Sequence, residues 1–308
     1  ITITSYDVMA PLIYQLPPLL SITDLGVFAQ TSKTLPNAFQ ARLDKEAAHK
    51  LGQYIVHGDE AKAKTMLEAN PRLLLQTVTV EDYSNRTITG KPFQLALGAV
   101  DKAMWQMMMP YLEGLKKGEA LKQFNSQFPE GIEDTSAGEL QHMYDALAKA
   151  IIINDEEDGG TKEIEAFRVE ITKNDKITTG KHFNEQHLVA VLNSYINNFD
   201  ALETWDNRDK FWCQVVGYVQ RQMPTNTAQA HCSGLSRVND NGGVLLSRGR
   251  DYQYGGSFPS RGTSEGLGFD FALDAVSCVG FRHSGADRDV LQRGMCGRVW
   301  GLGAVRER

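Results

Sequence analysis

The sequence predicts a mostly α-helical protein: stacked helical hairpins, then a Gly/Arg-rich C-terminal part with few short strands. Three observations predict this. Between Glu46 and Leu112, apolar residues recur at three- and four-residue spacing in two successive helical pairs. From Glu139 to Met223 further stretches carry the same periodicity. After Arg237 that pattern gives way to glycine: half of the chain's 28 glycines fall there, and no lysine follows Lys210.

The first pair opens with Ala47, Ala48, Leu51, Tyr54 and Ile55 on one helical face. Gly58 supplies a C-terminal stop, and Asp59 is an N-cap for the next helix, whose apolar face is Ala61, Ala63, Met66 and Leu67. Asn70-Pro71 ends that helix, because the residue before proline is pushed out of the helical region. Val78-Thr79-Val80 is a β-type run, and a polar turn follows from Asp82 to Arg86. Pro92 then opens a second pair from the first helical turn, where a missing N–H costs nothing. Gly98-Ala99 takes the place of Gly58, and Ala103, Met104, Met107, Met108 and Leu112 form the closing face.

Lys91-Pro92-Phe93-Gln94-Leu95-Ala96 and Gly58-Asp59 resemble the ankyrin repeat, whose pattern enters the first helix through Thr-Pro-Leu-His-Leu-Ala and has Gly-Asp between helices. Gln94 stands in place of the family's His. The offset between Gly58 and Ala99 exceeds the roughly 33 residues usual for the family, and fewer than three repeats are present. An enlarged hairpin at about 76–91 accounts for the longer period. The resemblance implies partner contact at the loop tip, through Asp82, Tyr83, Asn85 and Arg86, because loop tips are free of packing duties.

Ahead of this stretch, Val8, Met9, Leu12, Ile13 and Leu16 have helical spacing, stopped at Pro17-Pro18. Leu25, Phe28, Ala29 and Leu35 give a second face after Thr23-Asp24. Leu16-Pro17, Asp24-Leu25 and Ala29-Gln30-Thr31-Ser32-Lys33 resemble an F-box. Here the loop to Asp24 is longer, Thr31 replaces a usual Val, and Leu35 replaces an aromatic. The resemblance implies docking on the Skp-type adaptor of a cullin–RING ubiquitin ligase through Leu12, Leu16, Leu20, Ile22 and Leu25.

Beyond Leu112, Leu121, Phe124 and Phe128 predict a short helix ending at Pro129, and Glu139 to Ile152 is a clear amphipathic helix. His142 lies beside its apolar face and reads as a surface histidine. Residues 154–160 are acidic but lack the alternating ligands and distal Glu of a calcium loop, so a solvated turn is expected. Thr161 to Lys173 fits helix and strand equally poorly. Phe183 to Asn198 predicts a helix. Leu202 to Met223 is the most apolar helical segment and a core candidate, closed by Pro224. The expected divisions are 1–40 for the F-box-like hairpin, 41–115 for the ankyrin-like hairpins, 116–224 for a helical region, and 225–308 for the Gly/Arg-rich region.

Composition excludes several classes. A net charge of −6 argues against a nucleic-acid or membrane-surface binder, which needs a basic footprint. No apolar run approaches the 18 or so residues of a membrane span, and the opening residues do not read as a signal peptide. Cys213, Cys232, Cys278 and Cys296 lie far apart without a C-x-x-C pair, which argues against a zinc ribbon or disulfide framework and fits reduced cytosolic thiols.

No catalytic constellation stands out, and no cofactor or metal is expected. Arg248, Arg250, Arg261 and Arg282 interleave with Tyr252, Tyr254 and Phe258, a pattern that stacks on single-stranded nucleic acid, holds a phosphopeptide, or is simply an Arg-rich loop surface. Cys213 sits inside an apolar helix and reads as an inert thiol. His231-Cys232 adjacency does not face thiol to imidazole. The glycines form neither a P-loop nor a Gly-x-Ser-x-Gly elbow.

The order of modules, together with Phe211-Trp212-Cys213-Gln214-Val215-Val216-Gly217 and Phe269-Asp270-Phe271-Ala272-Leu273, resembles secreted effectors of the Legionella and Coxiella type. That resemblance implies a cytosolic protein delivered into a host cell to bind host proteins. The leading expectation is therefore an adaptor that recruits a ligase component at its N-terminus and a second protein through the hairpins. Two alternatives stay open: an enzyme with its site in the C-terminal region around Arg282, His283 and Asp287, and a structural helical module with no ligase link.

Overall fold

The computed structural model describes residues 36–232, except 83–84, 133–135, 154–159 and 174–175, together with 272–273 and 280–281. Helix accounts for 70% of the described residues, and strands are few and short, so the mostly α class holds.

Helices α1 (Pro36–Val56) and α2 (Glu60–Ala69) form the first pair. A 3-10 turn (Pro71–Leu75) leads to the hairpin of β1 (Val78–Glu81) and β2 (Thr87–Gly90). Helices α3 (Pro92–Gly98) and α4 (Lys102–Leu115) form the second pair, and α5 (Glu119–Gln127) closes the unit. Then come α6 (Ala137–Ile153), α7 (Thr161–Thr172), β3 (Lys176–Ile177) and α8 (Gln186–Asn197). A continuous run follows: α9 (Trp205–Phe211), one π turn (Trp212–Val216) and α10 (Gly217–Arg221). Helix α11 spans Thr225–Cys232, and β4 (Ala272–Leu273) pairs antiparallel with β5 (Gly280–Phe281).

The two helical pairs end their first helices in the same way. Gly58 N–H donates to the Ile55 carbonyl and Asp59 N–H to that of Tyr54; Val100 N–H donates to Leu97 and Asp101 N–H to Ala96. These are the two bonds of a Schellman motif, with the left-handed residue at Gly58 (φ 72°) and Val100 (φ 54°). In both pairs the next residue is an aspartate that caps the following helix: Asp59 accepts from Lys62 N–H and Asp101 from Met104 N–H. The structural equivalent of Gly58 is thus Val100, one residue beyond the expected Gly98-Ala99. A β-branched residue in this conformation costs about 1–2 kcal/mol. Gly98 is kept free for another purpose, described below.

Helix α1 packs on α2, α3 and β1, α2 on α4, and α3 on α4 and α5. Their shared core includes Leu51, Leu67, Leu74, Ile88, Leu95, Met104, Met108, Leu112 and Phe128. A second core holds Tyr144, Ile151, Phe167, Val191, Tyr195, Phe211, Trp212, Val216 and Val219. Helix α8 lies along α6, and the π turn packs against α8. The segment 161–173, open to either reading in sequence, is helix α7. It buries only Ile164 and Phe167, three residues apart, and leaves Val169 exposed.

The two cores meet across a polar seam. β3 pairs parallel with β2, Thr87 opposite Lys176 and Ile88 opposite Ile177, and so extends the hairpin to three strands. Thr225 Oγ1 donates to the Val56 carbonyl at 2.7 Å.

Candidate functional site

The hairpin tip and the segment that follows β3 form one bonded cluster. Asp82 and Arg86 close the turn: Arg86 N–H donates to Asp82 Oδ1 (3.0 Å), while its Nε and Nη2 donate to Asp82 Oδ2 at 2.9 and 2.7 Å. The remaining guanidinium nitrogen, Nη1, donates to the His182 carbonyl. Both Asp82 and Arg86 are buried. Asn85 is exposed in a left-handed conformation (φ 66°), which asparagine tolerates better than most residues. The structure therefore puts the four residues expected at the tip to different uses. Asp82 and Arg86 shape the turn from inside, Asn85 faces solvent, and Tyr83 lies outside the described residues.

Residues 180–182 are tied to α3 and α5 through the backbone. Gly180 N–H donates to the Gln127 carbonyl at 2.6 Å, and Gln127 Nε2 returns a bond to the Gly180 carbonyl at 2.7 Å. His182 N–H donates to the Gly98 carbonyl at 2.7 Å. The His182 ring lies so close to Gly98 that a Cβ there would sit 2.2 Å from Nε2. Burial, reinforced by the Arg86 guanidinium, pushes His182 down to about 3, so the imidazole is neutral near pH 7. The folded-state value lies below the ordinary 6.5, so the stabilisation is complete above pH 6.5 and is lost as pH falls toward 3. From pH 7 to pH 5 the chain is expected to lose about 2 kcal/mol more stability than His182→Gln, read by denaturant unfolding at both pH values.

Helix α5 is anchored by its polar side. Glu119, Gln123 and Gln127, spaced four residues apart, are its buried residues. Glu119 accepts from Lys91 Nζ at 2.9 Å and from Gln123 Nε2 at 3.2 Å. The Lys91 hydrogen bond holds its carboxyl below the usual range; burial opposes this, and Gln123 and the Lys91 and Lys116 charges assist it. Gln123 also donates to the Leu74 carbonyl, and Gln94 Oε1 accepts from Lys91 N–H at the entry to α3.

In the second core, Tyr144 Oη and His187 Nδ1 are 2.8 Å apart. Asp145 Oδ1 accepts from Gln141, Ser194 and Asn198, at 2.7 Å for Ser194. Burial pushes the Tyr144 hydroxyl up and the His187 ring down. Tyr144 and Ser194 are wholly buried, and these hydrogen bonds join α6 to α8. Cys213 is buried in the π turn, in keeping with its apolar setting in the sequence. His142 is exposed. Among the described residues no group of His, Cys, Asp and Glu could hold a metal, and no helix is long and apolar enough to cross a membrane.

Several sequence expectations fall outside the described residues. They include Leu12, Leu16, Leu20, Ile22 and Leu25, the acidic loop residues 154–159, the side chains of His231 and Cys232, and the Arg/Tyr-rich stretch from Arg248 to Phe258 with Arg261, Arg282, His283 and Asp287. Sequence reasoning missed His182, Gln123 and Gln127, and it gave Gly98 the role of a helix stop, where the structure sets it against His182. Only the four-residue spacing of Glu119, Gln123 and Gln127 carried a signal, and it resembles that of a solvated face.

Residues 187–290 match the model of the CBUA0006 C-terminal domain, a Coxiella protein family. The matched span begins in α8 and includes the π turn, and it is consistent with a Coxiella-type effector. No curated protein and no solved structure matches the chain.

Proposed function

We propose that this chain is a protein-interaction adaptor, a bacterial effector delivered into the host cytoplasm. Residues 1–40 dock a Skp-type ubiquitin-ligase component, and the stacked hairpins bind a second protein. The supporting observation is the repeated unit of residues 46–115: two helical pairs with the same Schellman turn and aspartate cap, stacked around one core and separated by a β-hairpin. Such pairs form a scaffold that holds the turn in place, and an ordered turn with an exposed residue such as Asn85 is a good contact surface. At that tip Tyr83 and Asn85 make the partner contact, while the Asp82–Arg86 pair holds the turn in shape. The match to a Coxiella family supports the effector part of the reading.

The test is co-purification of the full chain with a Skp adaptor. Binding that Leu12→Asp/Leu16→Asp abolishes, without loss of helical content by circular dichroism, is the expected result. A well-folded chain that fails to bind would remove the ligase link. Leu20, Ile22 and Leu25 complete the docking surface in this reading and are the next residues to change.

A further inference from the structure

Helix α5 is inside out. Its buried residues are Glu119, Gln123 and Gln127, while Leu121 is 64% exposed and Phe124 37% exposed. An amphipathic helix in water ordinarily does the reverse. Leu121 and Phe124 are three residues apart and share one face, and the Phe124 ring lies 5.3 Å from that of Phe128 at the helix end. A single exposed leucine needs no explanation. A helix that exposes Leu121 and Phe124 while its buried residues are Glu119, Gln123 and Gln127, tied to Lys91, Leu74 and Gly180, does.

The surroundings of this face are basic, although the chain is acidic overall. Lys116, Lys117 and Lys122 are exposed at or beside the start of α5. Two carboxylates at the start of α5, Glu113 and Glu119, are engaged by the protein itself, and Glu130 is exposed beyond its far end. Glu113 accepts from the N–H groups of Gly118 and Ala120, and Glu119 is buried against Lys91, with Lys116 3.7 Å away.

We propose that the Leu121–Phe124 face of α5 is a docking site for an acidic amphipathic segment of a partner protein, with two apolar side chains on the stripe and carboxylates toward Lys117 and Lys122. The site is separate from residues 1–40, so it stands or falls independently of ligase docking.

The probe is a fluorescent helix-forming peptide of roughly 15 residues, with leucines three and four apart and glutamates flanking them. A second peptide has lysines in place of the glutamates. The full chain should bind the glutamate peptide at least about tenfold more tightly than the lysine peptide by anisotropy. Leu121→Ser/Phe124→Ser should weaken that binding by about tenfold or more, and Lys117→Glu/Lys122→Glu should abolish the charge preference. Leu121 and Phe124 are exposed, and retained helical content would confirm that the variants fold. The proposal is overturned if the glutamate peptide does not bind, or if neither double variant alters its binding. It is also overturned if anionic phosphatidylserine vesicles bind the face and the peptide does not, or if the face proves to be a self-association surface removed by Leu121→Ser.

Discussion

Asp82→Ala is expected to destabilise the chain by about 3–5 kcal/mol, the range for removing one partner of a buried ion pair. The change strips Arg86 of the acceptor for Nε, Nη2 and its own N–H, all supplied by Asp82. The guanidinium then remains buried with a full charge. Loss of the turn also withdraws the donor to the His182 carbonyl, so the strap of residues 176–182 should loosen together with the hairpin. Denaturant unfolding measures the first effect. Amide exchange at His182, Ile88 and Ile177 measures the second. A loss under about 1 kcal/mol would mean that water reaches the pair and that its burial carries little energy. Replacing both residues by apolar ones of similar volume should cost far less than either single change, because no unpaired charge is left behind.

Gly98→Val is the second large effect, about 3 kcal/mol of lost stability, at the upper end for overpacking a filled site. The new Cβ would meet His182 Nε2 at 2.2 Å and Gln127 Nε2 at 2.9 Å. Valine also carries two methyl groups that have no space there. Gly98 sits in helix α3 at an ordinary helical position, so the backbone would accept any residue, and alanine would favour the helix by about 1 kcal/mol. The glycine is required by the neighbour and not by its own dihedral angles. The test is a double variant: adding His182→Gly to Gly98→Val should restore a large part of the loss. If Gly98→Val alone leaves the unfolding midpoint unchanged, the close approach of the strap to α3 is wrong.

Much of the fold was legible because local rules act over a few residues. Gly58-Asp59 stops one helix and caps the next, Asn70-Pro71 ends α2, and Pro92 starts α3, as their chemistry dictates. The apolar faces at Leu51 and Ile55, and at Met104, Met108 and Leu112, are buried as their spacing predicts. One reading was misled by local pattern. The position equivalent to Gly58 was expected at Gly98-Ala99, and the structure places Val100 there, at a left-handed φ held by the two hydrogen bonds of the turn. Leu121 and Phe124 announced a helix, which exists, but in this one the buried residues are Glu119, Gln123 and Gln127.

The candidate site was legible only in part. The polar turn from Asp82 to Arg86 could be found, because such residues between two β-type runs mark a loop. That Asp82 and Arg86 bond each other could not be known, because either could equally face a partner. His182 lies 96 residues from Arg86 in sequence, and no periodicity connects them. The sequence by itself determined the helical class, most helix ends and the place of the hairpin, since caps, prolines and apolar spacing are decided within a turn or two of the chain. Tertiary structure alone decided which loop residues are buried, which glycine must stay small and which face of α5 meets water, because each depends on a neighbour brought close by folding.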